Sequence, residues 1–198
     1  MQMVSGPSCT FRKLMIFIDA SNFLGGIANF QEKTGKVYKI NYPQLETHLR
    51  SRASKHGLII LEHIKTYFYG PRGVPEELKS VLDNISFSKQ IDEFKEELIR
   101  NHVKLILKDK IKGKEKGIDA ALVTDFLSLA YSGAYDYAVL VSGDADFISA
   151  IDEVKRYGKL IFVASFKSHF NDALMEHVDG VIFFDDKPNF LEEVKDNG

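Results

Sequence analysis

The sequence predicts an α/β protein built on a central, mostly parallel sheet flanked by helices. Three observations carry that expectation. Short apolar runs alternate with helix-like segments, no hairpin signal joins neighbouring runs, and no repeat, linker or low-complexity block interrupts the 198 residues. Strands that are each followed by a helix return by right-handed crossovers, which set them parallel in one sheet.

The elements follow in order. Residues 14–18 form a continuous apolar run ending at Asp19, the pattern of a strand buried on both faces. A helix is expected from Ser21 or Asn22, weakened early by Gly25 and Gly26 because glycine loses the most backbone entropy in a helix interior. Tyr42-Pro43 opens a second helix, with Leu45, His48 and Leu49 before a stop at Gly57. Residues 58–69, rich in Ile, Tyr and Phe, read as a second strand, broken by Gly70-Pro71-Arg72-Gly73. Pro75-Glu76-Glu77 supplies the proline and first-turn acids of a helix start, and helix continues, interrupted near 86–88, to Asn101. A third strand covers 103–111, a helix from Gly117 or Asp119 runs through Tyr131, and a fourth strand covers 135–141. After the Ser142-Gly143 turn come a helix over 147–157, a fifth strand over 159–164, a helix over 168–177 and a last short strand over 181–184.

A hydrophobic content of 44% and a charged content of 27% are those of an ordinary globular chain, and its length suits one domain, set here at 14–198. Residues 1–13 carry Ser, Gly, Pro and Thr without the apolar centre of a signal peptide, and read as a disordered leader. No apolar run approaches the ~20 residues of a membrane span. The single Cys9 excludes an internal disulfide framework or a cysteine-rich zinc site and suits a reducing compartment, so the cytoplasm is the expected location. A net charge of −2 argues against a protein coated in positive charge, yet Lys104, Lys108, Lys110, Lys112, Lys114 and Lys116 make one local basic stretch.

The chemistry is expected at the carboxyl ends of the strands, in the crevice where strand order reverses. Asp19 ends the first strand, while Asp144 and Asp146 follow the fourth in Ser142-Gly143-Asp144-Ala145-Asp146-Phe147. If those strands are neighbours, the carboxylates face one another, and Asp119 at a helix start approaches the same point. Two like charges at ~4 Å repel by about 4 kcal/mol at an effective dielectric of 20. A divalent cation relieves that repulsion and keeps every oxygen as a ligand, and hard oxygen donors with open water positions suit Mg²⁺ or Mn²⁺. Such an ion activates water and stabilises charge on a phosphodiester. The competing reading is helix capping, which outweighs catalysis for any one aspartate alone. Asp144 and Asp146 together weaken it, since only one of them can be the cap.

At these residues the chain resembles the NYN domain family, in its LabA-like branch, a subgroup of PIN-like nucleases. The resemblance is carried by Ile18-Asp19-Ala20-Ser21-Asn22, by Lys116-Gly117-Ile118-Asp119 with Asp125 in the following helix, and by Leu140-Val141-Ser142-Gly143-Asp144-Ala145-Asp146-Phe147. Gly158-Lys159 with its apolar strand and the closing Val178-Asp179-Gly180-Val181-Ile182 complete it, over roughly 14–184. It implies a three-layer, Rossmann-like PIN fold and cleavage of RNA, single-stranded or in structured loops, by water that Mg²⁺ or Mn²⁺ activates. Carried over by motif, Asp19, Asp119, Asp144 and Asp146 would be catalytic and metal-binding carboxylates. Asn22 would position a water or phosphate, Ser142 would hydrogen-bond in the site, and Lys116 would contact the nucleic-acid backbone. Asp125 falls on a different helix face from Asp119 and is assigned a structural part, supporting Lys116 or a cap. A homo-oligomer or a protein partner is left open, and with no long apolar run no membrane association is expected.

Other features carry less. Tyr67-Phe68-Tyr69 beside Arg72 could stack unpaired bases, but strand alternation splits the run between two faces and favours the core. The six histidines lack metal-ligand spacing, and none adjoins an acidic motif in sequence. No nucleophile elbow, Walker loop or dinucleotide fingerprint occurs. Two functions compete with a ribonuclease: a non-catalytic RNA-binding or scaffold module on the same fold, and a phosphohydrolase of the haloacid dehalogenase type. The latter wants a second Asp two residues after the first, where Ser21 stands.

Overall fold

A computed structural model describes residues 10–54, 59–72, 85–108 and 117–194. The half that runs through β4 comprises β1 (Thr10–Asp19), α1 (Ala20–Thr34), β2 (Tyr38–Ile40), α2 (Tyr42–Ala53), β3 (Ile59–Pro71), α3 (Ile85–Arg100) and β4 (Lys104–Lys108). The remainder comprises α4 (Ile118–Tyr131), β5 (Tyr137–Val141), α5 (Ile148–Arg156), β6 (Leu160–Ser165), β7 (Gly180–Phe183) and β8 (Leu191–Glu193). Six strands form one parallel sheet in the order β4-β3-β1-β5-β6-β7, as the alternation of elements predicts. From β1 the chain builds outward through β3 to β4, then crosses back and builds through β5 and β6 to β7. The reversal lies between β1 and β5, which pair from Leu14↔Tyr137 to Ile18↔Val141.

The apolar run of β1 faces both ways because it is central. Leu14, Ile16 and Ile18 enter one core with residues of α1, α2 and α3, including Phe23, Leu45 and Phe94. Met15 and Phe17 enter the other with Ile118, Leu122 and Phe126 of α4 and Ile151 and Val154 of α5. This is the expected three-layer sandwich. Tyr67, Phe68 and Tyr69 are all buried, Phe68 in the first core and the two tyrosines in the second, which settles that run as packing. No helix among the described residues is long and apolar enough to cross a membrane.

Four expectations need correction. Residues 10–13, expected in a leader, instead extend β1 along residues 59–62 of β3. They are exposed, and Thr10, Arg12 and Lys13 break the apolar run that marks the rest of the strand. The helix expected over 168–177 is instead two 3₁₀ turns, Lys167–His169 and Asp172–Glu176. Phe170 is extended between them, and Asn171 caps the second turn by accepting from the Ala173 N–H at 3.0 Å. The strand over 181–184 is not the last one, since β8 pairs antiparallel with β2 in a separate two-stranded ribbon. Finally, β3 runs on through Gly70 and Pro71, where a break is expected. The expected helix stop at Gly57, the helix start at Pro75 and the far end of the third strand, 109–111, lie outside the described residues.

Candidate active site

The reversal of strand order brings the ends of β1, β5 and β6 together. Asp19 closes β1 and caps α1, its Oδ1 accepting from the N–H groups of Ser21 (3.0 Å) and Asn22 (3.3 Å). The cap uses one carboxylate oxygen and leaves the other to bond elsewhere. Ser142, fully buried at the end of β5, donates its hydroxyl to Asp19 Oδ2 at 2.9 Å and accepts from the Asp144 N–H at 3.3 Å. One serine thus ties together two acidic segments.

Asp19 is only 6% exposed, and burial pushes its pKa up to about 6 against the lowering effect of these hydrogen bonds, with the nearby Asp119 charge adding to the rise. Asp119 lies in the first turn of α4, and its pKa is also raised, by burial and then by the charges of Asp144 and Asp146. The four predicted aspartates therefore share one electrostatic field. Their side chains do not converge on a point: among the described residues no three acidic, histidine or cysteine groups gather closely enough to hold an ion. Asp144 caps the turn Ala145–Phe147 by accepting from the Asp146 N–H at 2.9 Å, so of this pair Asp144 is the cap and Asp146 stands exposed beside it.

Asn22 is tied to three other segments. Its Oδ1 accepts from the Gly143 N–H (3.0 Å) and the Ser165 hydroxyl (3.2 Å), and its Nδ2 donates to the His169 carbonyl (3.2 Å). Most of its hydrogen-bonding capacity is taken up by protein. Asp125 accepts from the buried Tyr69 hydroxyl at 2.9 Å, and this bond, with the Asp125 charge, adds to the burial that raises the tyrosine's pKa. Its partner here is therefore Tyr69, whereas the expectation was support of Lys116 or a cap. Lys116 lies outside the described residues, as do Lys110, Lys112 and Lys114.

An open groove of about 560 Å³ starts at Asn22, Gly143 and Asp144 and continues along Ser168, His169, Phe170, Asn171 and Asp172. Sequence reasoning missed this wall because it comes from 3₁₀ turns that carry no acidic motif. A signal did exist in α1. A Cβ at Gly26 would lie 2.5 Å from Phe166 Cδ2, and one at Gly25 would lie 2.8 Å from His169 Nε2. Two adjacent glycines inside a helix mark the place where that segment packs against it. His169 bonds through Nδ1 to Ser168 Oγ at 3.0 Å, and burial pulls its pKa down.

Among curated proteins none matches the chain significantly. Among solved structures, a protein of unknown function from Vibrio parahaemolyticus is similar at a TM-score of 0.62 and 20% identity, over 96% of this chain and 100% of that one, which speaks to the fold alone. The NYN domain family matches residues 13–185, covering both acidic strand ends and the segment that walls the groove. The chain therefore belongs to the NYN family, within the PIN-like nuclease superfamily.

Proposed function

We propose that this protein is a Mg²⁺- or Mn²⁺-dependent endoribonuclease of the LabA-like branch, acting on single-stranded or loop RNA in the cytoplasm. The observation that carries the reading is the placement of Asp19, buried at the end of β1 and joined through Ser142 to the Asp144 segment. A buried carboxylate at the strand-order reversal is made costly to ionise by its surroundings, with Asp119, Asp144 and Asp146 in the same field. A divalent cation would offset that cost, and the donors on offer are the hard oxygens such an ion prefers. When bound, it would activate a water and neutralise charge on the phosphodiester.

The chain's own residues divide the remaining work. Asp19, held by two N–H groups and the Ser142 hydroxyl, would be the fixed ligand. Asp119, Asp144 and Asp146 would supply the remaining carboxylate oxygens. Lys116 and the preceding lysines neutralise phosphates, the interaction that drives most nucleic-acid affinity. Water oxygen then bonds to phosphorus as one P–O ester bond breaks, leaving a phosphate monoester and a hydroxyl.

The test is cleavage of labelled single-stranded RNA in Mn²⁺ or Mg²⁺ by wild type and Asp144→Asn. We expect metal-dependent cutting that falls at least about 100-fold in the variant, the scale of losing an electrostatic catalytic group. Equal cutting by both would trace the activity to a contaminant and end the reading. RNA binding without turnover in any divalent metal would replace it with a non-catalytic RNA-binding module.

A further inference from the structure

We propose that Asn22 is a positioning residue, and that Ser165 serves with it. Together they hold the Gly143-Asp144 turn against the end of β1, and so set how tightly the site carboxylates bind a divalent cation. This deepens the nuclease reading above and rests on it.

The orientation of the Asn22 amide follows from chemistry. The Gly143 N–H needs an acceptor and the His169 carbonyl needs a donor, so Oδ1 must face the first and Nδ2 the second. The Ser165 hydroxyl, whose one proton is shared among Asn22 Oδ1 (3.2 Å) and the carbonyls of Phe166 (3.2 Å) and His169 (3.4 Å), faces the second lone pair, while the first lone pair and one of the two amide protons are committed outright. Of this side chain, the second Nδ2 proton stands outside these bonds. The bonds run to the ends of two other strands, so the side chain clamps β1, β5 and β6 to one another.

The turn it holds has no slack. The Gly143 carbonyl accepts from the Asn171 N–H at 2.9 Å, so both peptide groups of the turn are anchored. A Cβ at Gly143 would lie 2.0 Å from the His169 carbonyl oxygen, a backbone-to-backbone approach that only glycine allows. Asp144 follows directly, and its N–H rests on the Ser142 hydroxyl that also holds Asp19. Any shift of the turn therefore moves one site carboxylate relative to another. Ser165 is 2% exposed and out of reach of substrate, which makes it the cleaner probe of position.

The experiment compares wild type, Asn22→Ala and Ser165→Ala in three measurements: Mn²⁺ affinity by electron paramagnetic resonance titration, exchange of the Gly143 amide by NMR, and kcat and KM on single-stranded RNA. We expect both variants to bind Mn²⁺ about 10-fold or more weakly, as supporting partners of metal ligands typically do. Gly143 exchange should quicken in both, and kcat should fall while KM for RNA holds. A folded Ser165→Ala with wild-type Gly143 exchange and Mn²⁺ affinity would overturn the proposal. So would an Asn22→Ala that raises KM for RNA while binding Mn²⁺ normally, because that is the signature of substrate contact. If the wild type binds no Mn²⁺, the nuclease reading fails by itself. Gly143 exchange then decides the positioning question: quickened in both variants supports it, and unchanged in both overturns it.

Discussion

An unfolded aspartate titrates near 3.9, whereas burial in the fold holds Asp19 up to about 6. The folded state thus binds the proton more tightly, so this contribution to stability is complete below pH ~4 and is lost as pH rises through about 6. Its size is on the order of 3 kcal/mol, from 1.36 kcal/mol per pKa unit. Asp19→Asn mimics the neutral form, and Ser142 can then accept where it had donated. Urea melts of the metal-free protein should show the variant more stable than wild type at pH 7.5 and nearly equal to it at pH 4. Equal stabilities at both pH values would mean that Asp19 carries no ionisation cost. At this scale the positions of Asp19 and Asp144 at strand ends were legible, since a carboxylate after a strand is visible in one dimension. The part played by Asn22 was not visible, because its partners Gly143, Ser165 and His169 are supplied by other strand ends.

The helix α1 shows how an element can be tuned for a neighbour instead of for itself. Glycines at 25 and 26 reduce helix propensity, yet they let Phe166 and His169 lie against the helix backbone. The two positions should respond differently to alanine, which each would gain about 1 kcal/mol from on propensity alone. At Gly26 the new methyl meets the fully buried Phe166 ring, which has nowhere to go, so overpacking of roughly 1–3 kcal/mol should outweigh the gain. At Gly25 it meets only the tip of a half-buried histidine that can rotate away. Thermal melts should rank Gly26→Ala below wild type and below Gly25→Ala; the reverse order would show that the segment does not press on the helix. The same segment explains why the helix expected over 168–177 is absent. Its apolar and polar residues suit a helix, but the Asn171 N–H is drawn to the Gly143 carbonyl and the backbone turns to reach it. A tertiary bond outcompetes local propensity there.

For the molecule as a whole, the alternation of apolar runs and helices was enough to read a parallel sheet, because buried parallel strands must be apolar on both faces. The β2-β8 ribbon escaped notice, since three-residue strands carry almost no periodic signal. A net charge of −2 confines attraction for RNA to local patches, of which the lysines at 104–116 are the densest. Replacing Lys108, Lys110 and Lys112 by alanine in an Asp144→Asn background should weaken binding of single-stranded RNA. The slope of log affinity against log salt should also flatten by roughly 2, at ~0.7 for each phosphate left without its lysine. An unchanged slope would place the RNA elsewhere. The order of the sheet also bears on how the protein is made. Asp19 and Ser142 stand 123 residues apart and meet only when β5 slots in beside β1. A ribosome that has released the first half of the chain has therefore produced β1, β3 and β4 but none of the β5 and β6 ends that flank them. Any affinity for a cation is withheld until those later strands emerge, so a half-translated or truncated copy carries the first aspartate without its counterparts.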